Sequence, residues 1–93
     1  MEESYSLIFV LKWTVMYMTE KQWRKKFADV VINKMSNISI SAKELSDRTG
    51  VSQASMSRYL NCQRTPTIIT IANIANVLGS SIDELINFGE IVE

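Results

Sequence analysis

From Thr19 onward, apolar residues recur every three or four positions, in stretches separated by polar residues of high turn propensity. Trp23, Phe27, Val30, Val31 and Met35 fall on one face of a helix. Thr19 serves as its N-cap, and Gln22 three residues on completes a capping box. Asn33 to Ile40, rich in Asn and Ser, predicts a loop. Ala42 to Asn61 then predicts two short helices joined by a tight turn. Ser41 and Glu44 open the first of them, and Leu45 points inward. Gly50 stands at the corner, where the chain needs a left-handed conformation that a Cβ resists. Val51 re-enters the core, Ser52 caps the second helix, and Met56 and Leu60 hold that helix against the first. Cys62 to Pro66 is a loop, because proline disfavours helix at the residue before it. Thr67 to Leu78 predicts a buried helix with Ile68, Ile71, Ala72, Ala75 and Leu78 inward, stopped by Gly79. Ser81 and Glu84 form a further capping box for a short helix carrying Ile82, Leu85 and Ile86. An apolar tail with Phe88, Ile91 and Val92 follows.

The first eighteen residues follow a different period. Tyr5, Leu7, Phe9, Leu11, Trp13, Val15 and Tyr17 alternate along an extended chain, which is a strand pattern. A lone strand in a helical domain needs a partner for its backbone groups, so it pairs with a second chain or a short companion. The alternatives are an extra helix, or a start at Met16 or Met18. A membrane span or signal peptide is excluded, since the apolar run is short and broken by Lys12, and Glu2 and Glu3 lead it. The expected organisation is an N-terminal arm over 1–18, an all-α domain of five helices over 19–88, and a tail over 89–93.

The outward side of the second short helix carries Gln53, Ala54, Ser57 and Arg58. These short or hydrogen-bonding groups suit a helix that enters a major groove: Gln pairs with adenine, Arg with guanine, and Ala meets a thymine methyl. Lys43, Ser52, Asn61 and Arg64 are candidates for phosphate contacts, and Arg24, Lys25 and Lys26 are divided evenly between that role and solubility. Net charge is zero, yet its distribution favours this reading. Residues 1–19 carry one Lys and two Glu, residues 20–66 nine Lys/Arg and four Asp/Glu, and residues 67–93 four acids and no base, giving −1, +5 and −4. The basic excess thus coincides with the paired short helices, where phosphate neutralisation would need it.

The chain has no histidine and one cysteine, which excludes the usual His/Cys zinc sites and any His-based catalytic constellation. Its three glycines are too scattered for a phosphate-cradling loop. No enzymatic activity, cofactor, metal or small-molecule substrate is therefore expected. The lone thiol of Cys62 fits a reducing, cytoplasmic setting.

These residues carry a specific resemblance. Leu45, Gly50, Val51-Ser52-Gln53, Met56 to Asn61, Arg64-Thr65-Pro66 and the Ile/Ala-rich helix after them stand in the order found in Cro/repressor-type (XRE, lambda-repressor-like) helix-turn-helix domains. The chain resembles that family over roughly 19–88, with the reading unit at 42–61. Three positions depart from the pattern: Ser46 replaces a usual Ala, Ala42 a common phosphate-contacting Gln, and Cys62 the Gly that usually follows the Asn. The resemblance implies a five-helix, lambda-repressor-like domain that binds double-stranded DNA sequence-specifically as a transcriptional regulator, of the phage or mobile-element repressor type. One short reading helix meets too few base pairs to bind tightly alone, so a homodimer is expected, joined through the N-terminal arm or the C-terminal helix. The rival from another class is a protein-interaction module, such as the antitoxin of a toxin–antitoxin pair. A pure protein binder has no need of +5 gathered on the reading unit.

Overall fold

A computed structural model describes residues 19–86, and within them the chain forms five helices and no strand. They are α1 (Glu20–Asn37), α2 (Ala42–Thr49), α3 (Gln53–Leu60), α4 (Ile68–Leu78) and α5 (Ile82–Ile86). The N-terminal alternation, Phe88 and the apolar tail lie outside the described residues.

Side chains placed at fixed short offsets set most of the helix starts. Thr19 Oγ1 accepts from the Gln22 amide at 3.1 Å while the Gln22 side chain accepts from the Thr19 amide at 2.9 Å, a complete capping box. Ser81 and Glu84 repeat it at the start of α5. Ser52 and Thr67 cap α3 and α4 by accepting from the amides three residues on. At α2 only half of the expected box forms. Ser41 Oγ accepts from the Glu44 amide, but the Glu44 carboxylate turns forward to pair with Arg48 one helical turn on.

Gly50 closes α2 at φ +77°, its amide donating to the Ser46 carbonyl, and this left-handed corner aims α3 away from α2. Two non-glycine residues take the same conformation. Ser39 (φ +58°) and Cys62 (φ +63°) each follow a helix end at which two carbonyls are capped, Met35 and Ser36 in one case, Arg58 and Tyr59 in the other. Cys62 thus places a Cβ in the left-handed region that Gly takes most easily.

The helices enclose one core. α1 packs on α3 and α5, α2 on α3 and α4, and α4 on α5. Phe27, Val31, Leu45, Met56, Ile74 and Leu85 are fully buried at the centre, each contributing about 1.5–3 kcal/mol through water exclusion. Trp23 stacks on Phe27 at 4.9 Å, and its indole N–H donates to the Ile86 carbonyl at 3.3 Å, tying α1 to α5. Ser46 is buried, and its hydroxyl donates to the Val51 carbonyl, so the departure from Ala leaves no orphaned polar group.

Three expectations are corrected. Asn33 to Asn37 is helix, not loop, because Met35 is buried and continues the stripe of Phe27 and Val31, while the Asn and Ser side chains face out. The connection is only Ile38 to Ser41. Ile68 is 57% exposed instead of inward, and Ala72 is half-buried. Ile74 fills the core in their place, since side chains in the first turn lean toward the helix N-terminus and overshoot the core edge. Ile82, likewise first in α5, is also exposed, whereas Leu85 is buried. Among the described residues no helix is long and apolar enough to cross a membrane.

Two exposed carboxylates link this fold to pH. Glu20 is held below the usual glutamate range by the Thr65 hydroxyl and then by Arg24; Glu84 is held there by the Ser81 amide and then by Lys34. Both bind protons less readily when folded. Their contribution is present above the unfolded value of about 4.3 and is lost as pH falls through the lowered folded values. The thermal midpoint should therefore drop as pH falls below the unfolded glutamate value, and part of that drop should vanish in a Glu20→Gln/Glu84→Gln variant. An equal drop in both proteins would assign the acid sensitivity elsewhere.

Candidate nucleic-acid interface

α3 buries Met56 and Tyr59 and half-buries Leu60, which leaves the opposite face to solvent. Tyr59 is a core contact that the spacing of Met56 and Leu60 did not suggest. On the outer face Gln53, Ala54, Ser57 and Arg58 are all exposed, in successive turns of one helix. A rigid, polar, projecting ridge results.

The structure brings half of the predicted site residues into one open cleft. Lys43 at the start of α2 faces Gln53, Ser57 and Asn61 along α3, over a floor of Met56 and Leu60, with Ala42 at the rim. Asn61 Nδ2 donates to Ser57 Oγ at 3.2 Å, which joins the two side chains at the cleft's far end. Ala42 leaves the rim open where a longer side chain would reach across. Ser52 uses its oxygen to accept from the Ser55 amide. Its O–H remains a donor, and the Gln53 and Ala54 amides ahead of it lack intrahelical acceptors, as in the first turn of any helix.

Charge pairing separates the cations. Lys25, Lys43 and Arg48 pair one turn away with Asp29, Asp47 and Glu44, Arg24 pairs with Glu20, and Lys34 reaches Glu84 at 3.7 Å. The Lys25 ammonium is held above its usual pKa, chiefly by the Asp29 hydrogen bond. Among the described residues Lys21, Lys26, Arg58 and Arg64 have no ion-pair partner; with Lys34, whose partner Glu84 lies outside residues 20–66, they make up the basic excess of that segment. Two of these four, Arg58 and Arg64, were predicted contacts. Lys21 was not among the sequence candidates, and it has no acidic residue four positions on with which to pair. Arg24 is not a free surface cation. Its side chain is 29% exposed and is bonded to both Glu20 and Thr65. Arg64 sits in the α3–α4 loop on exposed backbone, apart from the cleft and beyond the C-terminal end of α3.

A family model described as helix-turn-helix (HTH_3) matches residues 34–85, more than half of the chain. Comparison with curated proteins and with solved structures gives no match.

Proposed function

The chain belongs to the Cro/XRE-type helix-turn-helix family of DNA-binding regulators, and from that premise we propose that it reads a specific duplex sequence as a repressor of the phage or mobile-element type. The observation that carries this reading is the outer face of α3: four exposed residues able to meet base edges, with Arg58 free of any ion-pair partner among the described residues.

The side chains divide by role. Gln53 and Arg58 form bidentate hydrogen bonds to adenine and guanine edges, Ala54 meets a thymine methyl, and Ser57 hydrogen-bonds an adjacent base. Ser52, Lys43, Asn61 and Arg64 hold phosphates and fix the register. Lys43 is shared with Asp47 at 3.4 Å, an exposed pair worth only about 0.3–0.5 kcal/mol, so a phosphate can replace that carboxylate. A single eight-residue helix reaches few base pairs, and tight binding calls for two copies. In a symmetric homodimer the two α3 helices lie about 34 Å apart, one turn of duplex.

Phosphate neutralisation gives a direct test. Arg64→Ala should weaken binding to specific and random duplex alike and reduce the slope of log affinity against log salt by about one. Fluorescence anisotropy over a salt series measures it. An unchanged slope removes Arg64 from the interface.

A further inference from the structure

Thr65 lies between exposed Arg64 and buried Pro66. Its hydroxyl donates to Glu20 Oε2 at 2.6 Å and accepts from Arg24 Nε at 2.7 Å. Arg24 Nη2 closes the ring on the same carboxylate oxygen at 3.1 Å. Thr65 lies more than forty positions from Glu20 and Arg24, which are one helical turn apart, and the three groups fasten the α3–α4 loop to the first turns of α1. Charge-assisted bonds of this kind are stronger than neutral ones, and the Arg24 stem is largely packed. Proline also holds the preceding residue in extended backbone. Arg64 therefore has its neighbour bonded on one side and the residue after that buried, while its own side chain is exposed and has no hydrogen-bond or ion-pair partner among the described residues.

We propose that Glu20, Arg24 and Thr65 form a clamp that presents Arg64 to a DNA phosphate, so that the start of α1 influences DNA affinity through this loop. This rests on the DNA-binding reading above. Arg24 is a positioning residue here, because Glu20 balances its charge and its Nε and Nη2 are bonded to Thr65 and Glu20. The gain is pre-ordering: a loop already held in place loses less conformational freedom when the phosphate binds.

The experiment is a double-mutant cycle on one duplex, with Thr65→Val and Arg64→Ala made singly and together and thermal unfolding recorded for each. Thr65→Val keeps the β-branched shape and removes the hydroxyl. It should weaken binding roughly threefold to tenfold, the scale of one side chain's ordering. Arg64→Ala should then cost clearly less in the Thr65→Val background than in the wild type, and Thr65→Ser should restore both affinity and coupling. If Thr65→Val does not fold, Arg24→Met keeps the packed stem, removes the donors and gives the same comparison. Additive losses, or wild-type affinity in the clamp variant, would overturn the clamp while leaving DNA binding intact. A wild-type chain that binds no duplex, or an Arg64→Ala variant with an unchanged salt slope, would instead overturn the functional reading beneath it.

Discussion

Gln53→Ala and Arg58→Ala should each weaken binding to the selected site by about 1–3 kcal/mol, roughly fivefold to 150-fold in Kd, while changing binding to random duplex little. The reason is geometric. A bidentate bond to a base edge exists only when the right base is opposite, whereas a phosphate is present everywhere. Gln53 is the sharper test of the two because its removal leaves net charge unchanged. Any loss it produces comes from hydrogen bonding and not from weaker attraction to the backbone. The two residues lie more than one helical turn apart on the same exposed face and would meet different base pairs. Their losses should then add approximately, and the double variant should approach non-specific affinity. Losses of equal size on selected and random DNA would assign both side chains to phosphates.

The second large effect is on stability. Leu45 is fully buried in the core cluster, on the helix that packs against both α3 and α4. Leu45→Ala should cost about 2–5 kcal/mol through lost burial and the cavity left behind. For a domain of this size that is a large part of the total stability, with each kcal/mol lowering the thermal midpoint by roughly 4–8 °C. Ile69 provides the contrast. It is 70% exposed, and Ile69→Ala should stay within about 0.5 kcal/mol of wild type. Thermal unfolding followed by circular dichroism separates the two. A mild Leu45→Ala would mean that α2 is not anchored through that side chain, and the fixed angle between α2 and α3 would lose its physical basis.

What could be read from the sequence was local. The caps at Thr19, Ser52 and Ser81 depend on a side chain and an amide three residues apart, and the turns at Gly50 and Gly79 depend on single residues able to take a left-handed backbone. The outer face of α3 followed from helical period once Met56 marked the inner one. The family match over 34–85 agrees with the ordered motif residues. Tertiary features were harder to see. The end of α1 turned on whether Met35 was buried or in a loop, and the polar residues around it gave the wrong impression. Ile68 and Ile74 both have apolar neighbours at helical spacing, and only the position of the core edge decides between them. At the interface, the pairing of Lys25, Lys43 and Arg48 was within reach, because each has an acid four positions away. The Arg24–Glu20 pair is equally local, but the bond from Arg24 to Thr65 is not: forty-one positions separate the two, and no local pattern announces such a contact.

The central claim is that α3 reads duplex DNA as one half of a symmetric pair. Selection of bound sequences from a random duplex pool by the full chain tests it most directly. The expected product is an inverted repeat with half-site centres about 10–10.5 base pairs apart, containing guanine and adenine positions whose preference relaxes in Arg58→Ala and Gln53→Ala respectively. A pool that shows no enrichment, or an enriched site whose base preferences survive both substitutions, would contradict it.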